Sequence, residues 1–402
     1  MLTYTMFGKP AKVFPFKPNW ESPVVETLEW KTDVLRSWDG TEQRRALRQL
    51  PRRGFEFAIM LHGERSSMLE AYLYGWQNRH FALPVWTDRT RLTASAVALA
   101  TTLYANTYLI GFQIGGYALL YLNEKTYAVV NVTGVYSDRI TVAEGAADAW
   151  PAGSILMPLI VGHLNASVQT SRATGSVVQT NISLMGSGDT AWPNIPDSTA
   201  SLVYDGIEVV TDKPNWRNRI SNDFSYDFDT VDAGVGPVAY FDTEASARVI
   251  RQHQWFLKSR EQIMEFRKLM GRLRGQCKTT WMPSWNDDFE IAASNIANQS
   301  TLVVKGTWFH SLVGTDTSRD RLAIRLPNGS TVYRRIIATA PNFTNDTTTV
   351  TLDSTLGVTV APNDTSRVQL LLRCRLATDK IVIPWLTDRV SEPQTNFITV
   401  KL

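Results

Sequence analysis

Lys17-Pro18-Asn19-Trp20 recurs as Lys213-Pro214-Asn215-Trp216. Each copy opens a longer pattern. Pro84-Val85-Trp86-Thr87-Asp88 is answered by Pro283-Ser284-Trp285-Asn286-Asp287, each directly after a helix-like stretch. Gln179-Thr180-Asn181, late in the first half, is answered by Gln394-Thr395-Asn396 at the end of the second. The partners lie 196, 199 and 215 residues apart, a drift that lengthening loops produce after a duplication. Three markers in one order read as one fold built twice.

Each half carries the same internal plan. The opening tetrapeptide leads into strand-like alternation, at Val25, Leu28 and Trp30 in the first half and at Phe224, Tyr226 and Phe228 in the second. Period-2 spacing, clean in the second half and looser in the first, places such side chains on one face of a sheet. A second strand is expected at 55–59, matched by 255–257, and then one helix per half. In the first, Ser67 with Glu70 has the form of a capping box, Met68, Leu69, Tyr72 and Leu73 make an apolar stripe, and Gly75 ends it. In the second, Ser259 caps a helix presenting Ile263, Phe266, Leu269, Met270 and Leu273, with Gly275 as the stop.

About 70 further residues with a β signature follow in each half. In the first they include 127–132, 139–142 and 154–157; in the second, 301–304, 322–326 and 348–352. Pro327-Asn328-Gly329-Ser330 reads as a hairpin turn, since Asn-Gly accepts positive φ. These stretches are expected to be small β-barrel or sandwich modules inserted into the parent domains. The expected division is 1–92 plus 164–185 for the first domain, with 93–163 inserted. A linker at 186–212 follows, then 213–296 plus 376–402 for the second domain, with 297–375 inserted.

Composition narrows the function classes. The 402 residues are 44% hydrophobic and 20% charged, as in an ordinary globular protein. A net charge of +3 gives no strong general attraction to nucleic acid or anionic membrane. No stretch is apolar and long enough for a membrane span, and the N-terminal residues lack the apolar core of a signal peptide. Two cysteines fit a reducing compartment, so synthesis and folding in a cytoplasm are expected. The five histidines show no ligand spacing, so no metal and no cofactor is expected.

Asp287, Asp288 and Glu290 cluster, as do Asp227, Asp229 and Asp232, but a glycosidase needs two carboxylates facing each other across a cleft. Asp88 and Asp287 belong to the repeated frame, which favours a turn or cap. Nucleophile elbows, phosphate loops and dinucleotide fingerprints are absent from the sequence. The arginine-rich stretch 44–53 and the basic second helix read as solvated faces or salt-bridged surfaces rather than a nucleic-acid site. Trp20, Trp216, Trp86 and Trp285, with Pro84 and Pro283, are expected to be packing anchors of the repeat. Trp38, Trp150, Trp192 and Trp308 have no partner in the other half and are the candidate exposed contact residues.

The run Trp30-Lys31-Thr32-Asp33-Val34, with Gly40-Thr41-Glu42-Gln43-Arg44, Arg48-Gln49-Leu50-Pro51-Arg52-Arg53 and Leu83-Pro84-Val85-Trp86-Thr87-Asp88, resembles distal tail and baseplate proteins of long-tailed, siphovirus-like bacteriophages. Phe266-Arg267-Lys268-Leu269 and Met282-Pro283-Ser284-Trp285 are similar in a degenerate form. The resemblance covers about half of the chain. It implies a mainly β fold: a tandem, tail-tube-like β-sandwich with one helix per copy, each copy bearing its inserted module. It also implies a virion tail subunit, assembled in the host cytoplasm, that forms a ring around the DNA channel. Its neighbours would be the tail tube, tape-measure and baseplate hub proteins, with DNA present only transiently in the lumen and no membrane contact. A homohexamer is the expected ring; a trimer with pseudo-six-fold symmetry is the alternative. No catalytic residue is implied. Competing expectations are a carbohydrate- or receptor-binding tail protein and a wall-degrading enzyme.

Overall fold

A computed structural model describes residues 3–187, 200, 202–217, 219–226, 228–242, 246–314 and 316–401. The fold is mainly β. In the first half, β1 (Tyr4–Met6) and β2 (Lys9–Val13) form a hairpin. β3 (Val24–Glu29) follows, then a second hairpin of β4 (Thr32–Arg36) and β5 (Glu42–Ala46), then β6 (Arg52–His62). Helix α1 (Glu64–Trp76) leads to β7 (His80–Pro84) and the short β8 (Thr90–Arg91). β9 (Thr102–Tyr104), β10 (Tyr117–Tyr121), β11 (Tyr127–Val135) and β12 (Arg139–Val142) come next, and β13 (Ile155–Leu164), β14 (Thr170–Thr174) and β15 (Val177–Gly186) close the half.

The second half begins with a small hairpin, β16 (Val203–Tyr204) with β17 (Ile207–Glu208), and β18 (Asn222–Ser225). A larger hairpin of β19 (Phe228–Val231) and β20 (Ala239–Asp242) precedes β21 (Arg248–Gln254), helix α2 (Arg260–Leu273) and β22 (Thr279–Pro283). β23 (Thr301–Lys305), the short α3 (Trp308–Leu312), β24 (Arg321–Arg325), β25 (Thr331–Asn342) and β26 (Thr347–Leu352) follow. β27 (Arg367–Leu376), β28 (Lys380–Trp385) and β29 (Gln394–Thr399) end the chain.

Two large sheets result. The first runs β28-β3-β6-β15-β13-β10-β11-β12-β9, with β7 also beside β13; the second runs β18-β21-β29-β27-β24-β25-β26-β23, with β22 beside β27. One strand crosses between the halves. β28 leaves the second half and pairs antiparallel along β3, from Lys380 opposite Glu29 to Trp385 opposite Val24. The alternation of β28 turns Ile381, Ile383 and Trp385 inward, into the largest apolar cluster. That cluster holds Phe14, Trp30, Phe57 and Ile182 of the first half together with Phe266, Met270, Leu372 and Phe397 of the second. A separate, smaller cluster lies within 92–156, around Leu103, Ala118, Val132, Ile140 and Trp150.

Several sequence expectations are met in place. Arg139–Val142 is a strand, and Gly329 takes a φ of 85° in the turn joining β24 to β25. Ser259 caps α2 by accepting from the Gln262 N–H at 3.3 Å. Its C-terminal end needs glycine for two reasons: Gly275 has a φ of 64°, and a Cβ there would lie 2.2 Å from Asp379 Oδ1 and 3.0 Å from Trp30 Cβ.

Others are corrected. α1 starts at Glu64, because Gly63, at a φ of 57°, turns the chain straight from β6 into the helix. Ser67 and Glu70 therefore lie inside the helix and form no capping box. Gly75 does not end it either: Gln77 N–H still bonds Leu73 O, and Trp76 Nε1 donates to His80 O at 2.8 Å. Phe224, Tyr226 and Phe228 share no buried face, since the chain leaves β18 for the two-stranded β19–β20, and all three are exposed. The stretch expected as linker contributes Val209 and Val210 to the interior, and the Tyr204 carbonyl accepts from Trp281 Nε1 at 3.0 Å. Among the described residues, no helix is long and apolar enough to cross a membrane.

Because only one face of β28 packs into the core, its two faces should respond differently to truncation. Ile383→Ala is expected to lower unfolding free energy by about 2–5 kcal/mol, and Val382→Ala by less than about 0.5 kcal/mol. Urea titration of the full chain measures both.

Candidate functional site

The alternation of β3 buries Val24, Glu26 and Leu28, so a carboxylate occupies a core-facing slot between two apolar residues. A buried charge persists only with partners. Arg53 on β6 donates from Nε to Glu26 Oε1 at 2.6 Å, and Arg267 on α2 reaches Glu26 Oε2 at 2.6 Å. Trp385 on β28 adds its indole N–H to the same oxygen at 2.9 Å. The second acid, Asp88, sits in the tight turn after β7 and is also fully buried. Arg260 donates to Asp88 Oδ1 at 2.8 Å, while Arg53 and Arg267 stand 3.5 and 4.0 Å from its carboxylate. The Arg267 guanidinium lies 5.2 Å from the Trp385 ring centroid, a cation–π contact.

Two acids of the first half thus meet one arginine of their own half and two from the second. Burial alone would push both carboxyls up, but the guanidinia prevail. Against that burial, Arg267, Arg260 and Arg53 hold Asp88 down at about 2. Glu26 is likewise held below the usual carboxylate range by Arg267 and Arg53. In return, the two acids raise Arg267 in spite of its burial.

Around this centre the β4–β5 hairpin is fastened to the second half. Arg375 grips Glu42 with both arms of its guanidinium, at 2.7 and 2.8 Å. Asp379 accepts from Thr32 N–H at 2.7 Å, Thr32 Oγ1 at 2.8 Å and Gln276 N–H at 2.9 Å. Arg274 donates to Gln49 at 2.6 Å, and Arg89 pairs with Asp388 at 3.1 Å. The arginine-rich stretch 44–53 is largely consumed within the chain: Arg45 pairs with Asp33, Arg48 with Glu29, and Arg53 is buried. On α2, Lys268 pairs with Glu265 as its i, i+3 spacing allows, while its neighbour Arg267 points inward.

The repeat anchors divide. Trp20 packs partly buried against two apolar clusters, and Trp86 is buried edge-on against Tyr121 at 5.3 Å. Pro84 and Pro283 end β7 and β22 in the same way, opposite Leu159 and Leu371. Trp216 is not a core anchor. It is 59% exposed, although the second motif fixes the backbone through Asn215 N–H to Gln254 O at 2.8 Å. Trp285 is half-buried at a left-handed φ of 58°, whereas Trp86 opens a helical turn. The two segments part after the Trp. Asp287 is consequently exposed and paired with Arg367 at 2.6 Å, and Asp288 takes the inward place, accepting from Leu370 N–H at 2.7 Å and from Ser284 Oγ.

Of the candidate contact residues, Trp38 is 69% exposed at the tip of β4–β5, and Trp308 is partly exposed, stacked on Phe289 at 5.6 Å. Trp150 is corrected: it is buried in the smaller cluster, exchanging backbone hydrogen bonds with Ala96 at 2.8 Å. Trp192 and Asp227 lie outside the described residues. Among the described residues, no three His, Cys, Asp or Glu side chains converge as a metal would need. Sequence reasoning missed Glu26 and Arg267, although an acid inside a period-2 apolar run was the signal available. Compared with known proteins, the chain matches no family model and no curated sequence.

Since both carboxyls are depressed in the folded state, their contribution is fully present above the unfolded-state carboxyl value of about 4. It is lost as pH falls from there towards 2. Urea midpoints measured from pH 6 to pH 2 are expected to fall across that window. Asp88→Asn, which strands the facing guanidinia, is expected to cost about 3–5 kcal/mol at pH 7 and to flatten the profile.

Proposed function

We propose that the chain is a structural subunit of a phage tail tip or baseplate. It would form a ring joining the tail tube to the hub or receptor-binding proteins, with DNA passing through the lumen. What carries this is the strand order. In the first half the path β3-β6-β15-β13-β10-β11-β12-β9 has α1 between β6 and β7, and β7 sits beside β13; in the second, β18-β21-β29-β27-β24-β25-β26-β23 has α2 between β21 and β22, and β22 sits beside β27. Position by position, the two orders agree. That agreement supports a tandem duplication, and the separate cluster at 92–156 supports an inserted module in the first copy.

The contact between the halves also suits a ring subunit. Different surfaces of the two halves meet, so the contact is heterologous, the kind that closes by rotation. The candidate acids favour structure over chemistry: buried Asp88 and half-buried Asp288 are taken up in hydrogen bonds, while Asp287 and Glu290 are held by Arg367 and Lys305. Equal strand orders favour equal positions in a ring, and hence three chains presenting six half-chain positions over six chains in two tiers. Tail tube, tape-measure and hub proteins would be the neighbours of such a ring.

Light scattering and negative-stain images of the purified chain test the proposal. A closed ring with a central hole, and no turnover of cell-wall substrates, is expected. A protein that clears cell wall, with loss of clearing on Asp287→Asn, would replace it with an enzyme. Trp38 favours a second reading, carbohydrate or receptor binding, by its exposure. Glycan binding abolished by Trp38→Ala, with the ring intact, would support that function.

A further inference from the structure

Within the chain, the second half covers two elements of the first. β28 pairs along the outer edge of β3, and Arg375 with Asp379 fastens the β4–β5 hairpin. The corresponding elements of the second half are open. β18 pairs with β21 as β3 pairs with β6, but among the described residues no strand pairs with its other edge. The β19–β20 hairpin lies between β18 and β21 as β4–β5 lies between β3 and β6, and its strands pair only with each other. Its surface is aromatic. Phe228 and Tyr240 meet edge-on at 5.6 Å on one face of the hairpin, and both are exposed; Phe241 and Val231, also exposed, lie on its other face with Asp229. Exposed rings on a hairpin that adjoins an unpaired strand edge along the chain mark a contact surface.

We infer that the β18 edge and the β19–β20 hairpin dock on the first half of a second copy of this chain, at the face made by β14 and the C-terminal end of α1. This rests on the duplicated ring subunit proposed above and deepens it. Two observations select the face. First, β14 stands between β13 and β15 as β28 stands between β27 and β29; all five of its residues are exposed, and among the described residues it pairs only with β15. Its outer edge can continue the sheet from β18 as β28 continues it from β3. Second, the charges complement. The hairpin carries exposed Asp229 and Asp232, and at the end of α1 stand Lys12 of β2 and Arg79, 4.5 and 4.7 Å from the Trp76 ring. In the internal contact, the cations at the same end of α2 and β27, Arg274 and Arg375, are the ones that meet Gln49 and Glu42. Acceptor and donor faces lie on different halves, so the contact repeats head to tail. Three chains close the ring of six half-chain positions.

Cross-linking tests the geometry. In a Cys277→Ser background, D223C on β18 and S171C on β14 are prepared as separate proteins and oxidised singly and mixed. A disulfide-linked dimer only in the mixture is expected; a dimer of D223C with itself would mean a symmetric contact and overturn the inference. In parallel, the double variant Phe228→Asp, Tyr240→Asp is expected to weaken self-association at least about a hundredfold, with an unchanged thermal midpoint because both rings are outside the core. Rings that persist in this variant would overturn the docking site and leave the ring subunit standing. A wild-type chain that stays monomeric at every concentration would overturn both. If a purified tube or hub protein, rather than a second copy, protects the hairpin, the patch belongs to that partner and the inference fails.

Discussion

The structure depends on a cluster of five charges, four of them placed where water does not reach and the fifth, Arg260, at its rim. Glu26 and Asp88 come from the first half, Arg267 and Arg260 from the second, and Arg53 stands among them. Such a cluster adds little net stability over an apolar one of the same shape, because desolvation offsets most of the attraction. Its effect is on what is allowed. With the second half removed, two buried carboxylates would face one guanidinium, and the halves cannot separate or slide without stranding a charge. Apolar packing holds them together; the ion cluster fixes how.

The surrounding contacts follow from that alignment. Once Arg267 faces Glu26, the end of α2 lies against the start of β4, where Gly275 admits Asp379 and Asp379 binds Thr32. β28 then runs along β3 and removes a strand edge that would otherwise be open to pairing. The first half has its edge covered within the chain and the second does not, so the chain is asymmetric at its two ends although its halves share one strand order.

Much of the fold was legible in local patterns. Strands at 139–142, 301–305 and 347–352 announced themselves by alternation, and α2 by a Ser cap and an apolar stripe. These signals are set within a few residues. What failed depended on distant partners. Trp150 has no counterpart in the other half and still lies buried, because the small cluster that encloses it is built from strands up to 58 residues away in the chain. Leu28 and Trp30 are buried, Val25 turns to the other face of β3, and Phe224 and Phe228 are exposed: alternation says which side chains share a face, and nothing about whether that face is covered. Glu26 and Arg267 look like surface charges until the two halves meet.

The repeated motifs themselves record backbone rather than side-chain roles. Asn19 N–H bonds Ala58 O at 2.7 Å and Asn215 N–H bonds Gln254 O at 2.8 Å, so both tetrapeptides tie the chain to the strand before the helix. Pro84 and Pro283 end equivalent strands. The side chains between these fixed points have parted: Trp20 is packed and Trp216 is exposed, and Asp88 is buried where Asp287 is not. Backbone hydrogen bonds constrain both halves alike. A side chain is constrained only by what it touches, and the two halves touch different things, the first half being covered by the second while the second faces outward. The divergence of the motif residues follows from one covered and one open face on two halves of the same strand order.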